Sequence, residues 1–408
     1  MIALVLLAAP DREVAESALA QADRVVVLSP AQGGPGTPDD DRVTFLRYDG
    51  ADDALAIAAA VRPDAVIPIW EGAVETGAVL AEALGLPGNP PTATRAARDK
   101  AVAADLLHRA RVPHPRTRSY PVDTELSFVE REFRYPFIVK MPRSSNSQSV
   151  TLVRSRAELA TAVGGIRTLY ARTNRLSRLY GTGTPSFVAQ DYLHGVEVNI
   201  DLLYHETDHA VLGIFEKFPM PGPTFGEVHS VYPHSLSTAD ADAAIAVSVA
   251  AVRALGATRG AAHVELRMTV AGPVVVEAAL RLGGFLTPQA LRLVTGVDPV
   301  SALTALHGHG RLPSVRHSPS GVACLYGAAN VEQAGRIKAI SGADDAKLVP
   351  GVELLEVVKQ PGDLVVPLPE GTDYHVARFL LTGARRADVE HSARRIRELL
   401  VVELEEAA

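Results

Sequence analysis

The sequence lacks several features that would point to particular classes of protein. Its 408 residues include one cysteine, Cys324, which excludes an internal disulfide framework and a metal site built from several cysteines. The formal net charge is −7 and no block of like charge is long, so we expect no nucleic-acid partner, because such a partner requires a basic face. These absences leave a globular protein of several packed units, since the chain is too long for one ordinary core.

The first ten residues, MIALVLLAAP, carry neither a basic leader nor enough apolar length to span a bilayer. A charged helical pattern, DREVAESALAQADR, follows them. The stretch therefore predicts a first buried strand rather than a signal peptide, and we expect a cytoplasmic protein with no membrane partner. Ala8-Ala9-Pro10 stand where a glycine fingerprint would follow this strand, so we expect no dinucleotide site there.

Short apolar runs alternate with amphipathic stretches over the first ninety residues. We predict strands at Ile2–Leu7, Arg24–Leu28 and Ala65–Ile69, with helices at about 11–22, 52–61 and 73–84. Apolar strands joined by helices predict a small parallel α/β layer. The breakers between Leu86 and Pro91 end this unit.

The remainder of the chain mixes strands and helices. The predicted elements are a helix Thr92–Ala110, strands Phe137–Lys140 and Val150–Val153, a helix from about Arg156, a mobile connection 170–185, strands Ser186–Tyr192, Val196–Tyr204 and Ala210–Lys217, a loop 218–234, a helix 239–255, a hairpin Ala262–Thr269 and Val274–Ala279, and a charged helix Ala387–Leu400. We therefore predict four units, at 1–91, 92–185, 186–309 and 310–408.

The hairpin HVELRMTVAGPVVVEAALRLGG carries the strongest chemical signal. Residues two apart share a face of a strand, so His263, Glu265 and Arg267 point the same way. The turn is predicted at Ala271-Gly272-Pro273, and if it centres on Ala271, Glu277 lies opposite Glu265, with Arg281 further along that face. Facing carboxylates repel unless a cation lies between them or water solvates them. Mg²⁺ is commonly held by one or two such carboxylates together with substrate phosphates, although an exposed hairpin with scattered charges fits about as well.

A second signal is a lysine followed by a loop of small residues. Lys140 closes an apolar strand and precedes the serine-rich loop Ser144–Ser149. Backbone N–H groups and an ammonium suit phosphate binding. A surface lysine before a flexible hairpin fits the segment equally well. Lys100, taken alone, fits a solvated helix charge.

A third signal is an apolar strand that meets a polar hinge. In FVAQDYLHGVEVNID, Gly195 turns the chain, and Glu197, Asn199 and Asp201 share one face of the next strand. Such an arrangement suits a nucleoside, with ribose hydroxyls on a carboxylate and the base edge on hinge backbone. The alternation is also the ordinary state of a half-buried strand.

The order of these motifs resembles that of the ATP-grasp ligases over about residues 90–300. The spacing from Glu277 through Arg281 to Gly283-Gly284 is most similar to the L-amino-acid ligases that make dipeptides. The resemblance implies an α/β (α+β) ATP-grasp fold, with an N-terminal Rossmann-like unit, a lid at about 136–185 and a mixed C-terminal subdomain. It also implies ATP as a substrate and Mg²⁺ or Mn²⁺ as the metal.

The resemblance further implies roles for individual residues. The residues expected to contact ATP are Lys100, Lys140, Ser144, Ser145, Ser147, Ser149, Gln190, Leu193 and Glu197. Glu265 and Glu277 would hold the metal, and Arg281 would steady the carboxylate and its acyl phosphate. Glu227, His229 and Phe285 would line the acceptor site.

The sequence departs from the family pattern at three places. The loop Ser144–Ser149 has no glycine, where the family usually has several. Ala279 replaces an asparagine that many members carry two residues after the second metal glutamate. Gln190 replaces the commoner glutamate, although its amide oxygen can still accept from an adenine amine.

The expected function is an ATP-dependent ligase that joins a small-molecule carboxylate to an amine through an acyl phosphate. A homodimer is an open possibility. One alternative is a carboxylase or purine-pathway ligase of the same fold, but Glu227 and His229 favour recognition of an amino group over a sugar phosphate. Another alternative is a nucleotide-binding regulator that has lost catalysis. The presence of both hairpin glutamates and of Arg281 argues against it.

Overall fold

The computed structural model describes residues 1–30, 40–171, 184–219, 222–226, 228–315, 321–371 and 374–405. Its first unit is a parallel sheet in the order β3-β2-β1-β4, which confirms the predicted α/β layer. Its elements are β1 Ile2–Leu6, α1 Arg12–Leu19, β2 Arg24–Ser29, β3 Val43–Arg47, α2 Ala51–Val61, β4 Ala65–Pro68, a 3₁₀ helix Glu71–Ala73, and α3 Val74–Ala83. The sequence prediction missed β3.

Two helices follow where one was predicted over Thr92–Ala110. They are α4, Pro91–Arg98, and α5, Lys100–Arg109. The side chain of Asp99 accepts hydrogen bonds from the backbone N–H groups of Ala101 and Val102, at 3.0 and 3.2 Å. Asp99 therefore caps a new helix instead of continuing the old one, which is the usual competition of a short acidic side chain with the helical backbone. The break places Lys100 in the first turn of α5.

A small antiparallel sheet forms one side of the site. Its strands run in the order β5-β8-β6-β7. The elements of this part are β5 Thr117–Pro121, α6 Leu126–Glu132, β6 Phe137–Lys140, β7 Thr151–Val153, α7 Arg156–Ala171 and β8 Ser186–Asp191. The prediction missed β5 and α6, and most of the connection predicted at 170–185 lies outside the described residues.

A large sheet of eight strands carries the other side, in the order β13-β12-β9-β10-β11-β14-β18-β16. A smaller sheet has the order β17-β15-β19. The remaining elements are β9 Val196–His205, β10 Asp208–Lys217, β11 His229–Tyr232, α8 Thr238–Ala254, β12 Arg259–Thr269, β13 Gly272–Ala279, α9 Thr287–Thr295, α10 Pro299–His309, β14 Ala323–Asn330, β15 Gly335–Ser341, α11 Ala343–Lys347, β16 Val352–Val357, β17 Leu364–Val365, β18 His375–Gly383, α12 Arg386–Leu399 and β19 Val401–Leu404.

Two predictions for this region need correction. The segment 218–234 was expected to be a loop, but His229–Tyr232 forms β11 and pairs with both β10 and β14. The sequence hides this strand because it is only four residues long and lies next to a Pro- and Gly-rich stretch. The hairpin turn lies at residues 270–271, one residue earlier than expected.

Apolar side chains cover both faces of the large sheet. One cluster joins it to the N-terminal sheet through α9 and α10, with Leu291 and Leu303 in its centre. The other lies under α8 and includes Val264 and Leu266 of β12. The N-terminal unit therefore shares a hydrophobic core with the large sheet. This core holds the loops of the N-terminal unit next to the site. No helix in the described ranges is long and apolar enough to cross a membrane.

Candidate active site

A cavity of about 200 Å³ lies between the small and large sheets. It brings together most of the residues predicted to act in ATP, metal and substrate binding. Those that line it are Lys100, Lys140, Ser144, Ser145, Ser147, Gln190, Leu193, Glu197, Glu265, Glu277, Arg281 and Phe285. These residues come from five separated segments of the chain, so the fold alone gathers them.

The two hairpin carboxylates lie directly opposite each other. Glu265 on β12 pairs with Glu277 on β13, as predicted. A β-bulge at this point lets two residues of β13, Val276 and Glu277, fit against one residue of β12. Without the bulge Glu265 would face Val276, and Glu277 would point to the other face of the sheet. The bulge is therefore what brings both carboxylates to the cavity.

Lysine and arginine side chains neutralise this carboxylate surface. The Nζ atom of Lys217, at the end of β10, lies 2.8 Å from Glu265 and 3.0 Å from Glu197. The other oxygen of Glu197 lies 2.7 Å from an Nη atom of Arg267. Both oxygens of the predicted ribose-binding carboxylate are thus held by cations. Burial opposes ionisation of Glu265, but Lys217 and His263 hold its pKa well below the usual range.

A buried pair supports Glu265 from behind. Nδ1 of His263 lies 3.0 Å from an oxygen of Asp201, and Nε2 lies 3.6 Å from Glu265. Burial lowers the pKa of His263, but Asp201 outweighs it and raises the pKa to about 9. The same Asp201 oxygen accepts a hydrogen bond of 2.9 Å from the backbone N–H of Gly283. A Cβ atom on Gly283 would lie within 3 Å of Asp201, His263 and Thr287, so only glycine fits there.

Lys100 joins the second carboxylate to the serine-rich loop. Its Nζ atom donates to the backbone oxygen of Ser144 at 3.1 Å and lies 3.4 Å from Glu277. The side chain is buried, which disagrees with the solvated helix charge that the segment alone suggested. Its place in the first turn of α5 follows from the helix break at Asp99. Lys100 can therefore reach a phosphate group and a metal carboxylate from one position.

Lys140 is held by neutral groups on the small sheet. It donates to Oε1 of Gln190 at 2.9 Å, and Nε2 of Gln190 donates to the hydroxyl of Thr117 at 3.0 Å. This chain fixes the orientation of the amide, leaving Oε1 with a lone pair for another donor. Burial, together with the ammonium of Lys100, lowers the pKa of Lys140 to about 8.

The glycine-free loop adopts a backbone conformation typical of glycine. Asn146, Ser147 and Ser149 have φ values of 52, 55 and 65°. Left-handed backbone of this kind turns successive N–H groups into a concave surface suited to anions. The hydroxyl of Ser149 accepts from the N–H of Met141 at 2.9 Å and lies outside the cavity lining, whereas Ser144, Ser145 and Ser147 line it.

Arg281 lines the cavity with its guanidinium partly engaged. Nε forms an ion pair with Glu71 of the N-terminal unit, and Nη1 donates to the backbone oxygen of Leu282 at 2.7 Å. Burial works against the charge, but Glu71 raises the pKa of Arg281. The outer edge of the guanidinium, with Nη2, is the part that can meet a ligand.

The three predicted acceptor residues have different positions. Phe285 lines the cavity, with φ 59° and its ring 5.5 Å from that of His375. His229 lies outside the lining. Its ring centroid is 4.4 Å from that of Phe218, with the rings tilted by 38°, and its Nδ1 atom lies 3.2 Å from Arg397. Burial and Arg397 lower the pKa of His229 to about 3. Glu227 lies outside the described residues.

The donor set fits a magnesium ion shared with phosphates. Glu265 and Glu277 present oxygens from opposed strands at the cavity, with side chains 26% and 33% exposed. Within the described ranges no three acidic, histidine or cysteine side chains converge as a closed metal cage. One or two carboxylates plus substrate oxygens are the usual arrangement for Mg²⁺.

Sequence reasoning missed two charged residues of this region. Lys217 closes an apolar strand, as Lys140 does, and that repeated pattern is a signal that could have revealed it. Glu71 follows the apolar strand β4 as a single acid, which is a weaker signal. Its partner Arg281 is 210 residues away, so no local pattern contains the pair.

Parts of the chain are similar to known families and proteins. Residues 133–289 match the ATP-grasp domain, and residues 330–405 match the L-amino acid ligase C-terminal domain 2. Carnosine synthase 1 of Gallus gallus is 30% identical over 306 residues, covering 69% of this chain and 33% of that protein. Dapdiamide A synthase of Enterobacter agglomerans is 23% identical over 169 residues, covering 41% of this chain and 38% of that protein.

The chain thus spans about a third of the length of carnosine synthase 1. Among solved structures, an L-amino acid ligase from Bacillus licheniformis has a similar fold, with a TM-score of 0.85 and 22% identity over 99% of both chains. The two domain matches confirm the ATP-grasp ligase resemblance expected from the motif order. The chain contains an ATP-grasp domain at residues 133–289 and the C-terminal domain 2 of the L-amino acid ligases at residues 330–405.

Proposed function

We propose that the chain is an ATP-dependent carboxylate–amine ligase that joins two amino acids through an acyl phosphate, releasing ADP and phosphate. The observation that carries this proposal is the opposition of Glu265 and Glu277 across one hairpin, within a cavity also lined by Lys100, Lys140 and Arg281. The match of residues 330–405 to the L-amino acid ligases supports amino acids as the substrates.

Binding of ATP falls to the small sheet and the hinge. Lys140 and the left-handed loop around Ser147 offer an ammonium and N–H groups to the phosphates, as a phosphate-binding nest does. Gln190, with its orientation fixed by Thr117, and the Leu193 backbone suit the adenine edge. Both oxygens of Glu197 already contact a cation, one Lys217 and the other Arg267. Glu197 can therefore accept a hydrogen bond from a ribose hydroxyl only if one of its oxygens contacts both the cation and the sugar.

Glu265 and Glu277 would hold Mg²⁺, or Mn²⁺, which when bound offsets charge on the transferring phosphoryl group. Lys100 contacts both Glu277 and the serine-rich loop, so it can keep the phosphate groups aligned with this carboxylate pair. Most of the acceleration then comes from positioning and fixed charge rather than from a protein nucleophile.

The substrate carboxylate attacks the γ-phosphorus of ATP, and the amine then attacks the resulting acyl phosphate and releases phosphate. The free edge of Arg281 suits the substrate carboxylate and later the acyl phosphate, because its planar fork can meet two oxygens at once. Water must be excluded during these steps. Closure of the predicted lid at about 136–185 would serve that purpose, although part of this segment lies outside the described residues.

The test is ADP formation with pairs of amino acids, with mass detection of the amide product. We expect wild type to form ADP and a dipeptide only with a productive pair. Arg281→Lys should still bind ATP but lose most amide formation, since a point charge does not reproduce the fork. Arg292→Lys, in an ion pair half exposed at the surface, is the matched control and should keep full activity.

Two results would contradict the proposal. ADP formation at one slow rate with every amino-acid pair, without any amide, would favour a nucleotide-binding regulator. ADP formation that depends on bicarbonate alone would favour a carboxylase of the same fold. Equal amide formation by Arg281→Lys would leave the ligase but remove the role given to Arg281.

A further inference from the structure

Two glutamates of the N-terminal unit lie behind the site and contact three arginines. We call this group the arginine–glutamate cluster; it consists of Glu71, Glu75, Arg98, Arg143 and Arg281. Arg98 joins the two acids, with Nε 3.3 Å from Glu71 and Nη1 3.4 Å from Glu75. Of the five, only Arg281 lines the cavity, so the others act on a ligand through their neighbours.

Glu71 controls the position of Arg281. It begins the 3₁₀ helix after β4 and pairs with Nε of Arg281, while the backbone oxygen of Leu282 holds Nη1. These two contacts leave the guanidinium one orientation, with its outer edge toward the cavity. An unpaired arginine would lose side-chain entropy on adopting that orientation for each substrate molecule.

Glu75 lies one helical turn further and contacts a different loop. It pairs with an Nη atom of Arg143, which directly precedes Ser144 in the serine-rich loop. The backbone oxygen of Ser144 accepts from Lys100 at 3.1 Å. Glu75 therefore fixes the start of the loop that offers N–H groups to phosphate.

We propose that Glu71 and Glu75 are positioning residues with separate duties. Glu71 orients Arg281 for the carboxylate substrate, and Glu75 holds the serine-rich loop for ATP through Arg143. This inference rests on the proposed ligase function. It gives the N-terminal unit a part in both binding steps, through Arg281 and Arg143, in addition to its packing on the large sheet.

The test compares Glu71→Gln with Glu75→Gln in the full chain. Removal of one charge-assisted contact is worth roughly a tenfold effect or more. Glu71→Gln should raise KM for the carboxylate substrate or lower kcat about tenfold, with the ATP dissociation constant unchanged. Glu75→Gln should raise the ATP dissociation constant about tenfold, with kcat at saturating ATP nearly unchanged.

Glu13→Gln is the matched control, because Glu13 also links the N-terminal unit to the core, through Arg292 at 3.0 Å, and touches no cavity residue. Glu13→Gln should change neither the KM for the carboxylate substrate nor the ATP dissociation constant. A double variant, Glu71→Gln with Arg281→Lys, should be no worse than Arg281→Lys alone if Glu71 acts through Arg281. If Glu71→Gln fails to fold, Glu71→Asp retains the charge while withdrawing the carboxylate, and should give the same separation of effects.

Failure of this inference can be distinguished from failure of the ligase function. Calorimetry with AMP-PNP, and then with an amino acid added to the AMP-PNP complex, measures the two effects without turnover. Glu75→Gln should weaken only the first binding step and Glu71→Gln only the second. Equal weakening of both steps by both variants, or additive effects in the double variant, would overturn the proposal. Absence of amide product in wild type would overturn the ligase function instead.

Discussion

One wall of the cavity carries Glu197, Glu265 and Glu277, and we call it the core wall. Each of these three carboxylates lies within 3.4 Å of a lysine. On the opposite wall, the lid wall, Lys140 is bonded to the neutral amide of Gln190. Charge on the core wall is therefore balanced before any ligand binds. On the lid wall the buried Lys140 ammonium has a neutral hydrogen-bond partner, and burial, together with the ammonium of Lys100, lowers its pKa to about 8.

The comparison indicates how the two walls would respond to a nucleotide. An anion that binds at the lid wall supplies the negatively charged partner that Lys140 lacks there. A cation that binds at the core wall must compete with lysines that already contact the carboxylate oxygens. We therefore expect nucleotide affinity to depend mainly on the lid wall, and turnover to depend mainly on the core wall.

The largest effect should come from Glu277→Gln on the core wall. Loss of this carboxylate removes half of the opposed pair, and turnover should fall by about 10²–10³-fold or more, as for removal of other groups that stabilise a transition state. Circular dichroism and thermal melting should show an intact fold. Glu356→Gln, on the edge strand β16, is the control and should keep wild-type turnover. Near-normal Mg²⁺-dependent turnover in Glu277→Gln would remove the metal role.

The next effect concerns the lid wall. Lys140→Ala should weaken ATP binding by roughly ten- to a hundredfold, because a charge-assisted contact is worth about 1.5–3 kcal/mol. Isothermal titration calorimetry measures this directly. Lys338→Ala, a surface lysine paired with Glu403, should bind ATP as wild type does. An unchanged dissociation constant in Lys140→Ala would mean that this lysine has only a structural role.

A smaller effect should appear in the pH dependence of ATP binding. A lysine whose pKa is lowered to about 8 keeps its charge below that pH and loses it above. Affinity should therefore fall by up to about tenfold between pH 7.5 and pH 9. Gln190→Glu should move this decline to higher pH, because the new carboxylate raises the pKa of Lys140. Lys140→Arg should remove the decline, and a decline that persists there would exclude Lys140 as its origin.

The smallest effect should come from Ser147→Gly in the serine-rich loop. Glycine adopts the observed φ of 55° readily, so ATP affinity should stay within about twofold of wild type. Ser147→Pro is the contrasting variant, because proline fixes φ near −65° and removes an N–H group. It should weaken ATP binding strongly. A large loss in Ser147→Gly would show that the hydroxyl, rather than the backbone, contacts the nucleotide.

The sequence alone allowed much of the core wall to be predicted. Although the direct opposition of Glu265 and Glu277 also needs the bulge at Val276, the alternation in HVELRMTVAGPVVVEAAL predicts the two strands and the turn. The parallel N-terminal layer follows from its apolar runs in the same way. Both results depend on local periodicity, which a single sequence contains.

The contacts that join distant segments could not be predicted. Glu71 and Arg281 meet only because the N-terminal unit packs on the large sheet, and Lys217 reaches Glu265 only because β9 lies between β10 and β12. Strand order and packing between units depend on the whole chain. The helix break at Asp99 was missed for a different reason, since helical residues lie on both sides of it and only the cap marks the boundary.

The bulge in β13 constrains the length of the hairpin more than its composition. Face alternates with every residue along a regular strand, and the bulge adds one residue, Val276, to this alternation. Deletion of Val276 alone, with regular pairing restored, would place Glu277 directly after Val275 and leave it opposite Glu265. Deletion of Val275 and Val276 together would place Glu277 opposite Leu266, on the face that packs on α8. Loss of one residue here should thus be tolerated far better than loss of two, which would separate the carboxylate pair while changing no charged residue.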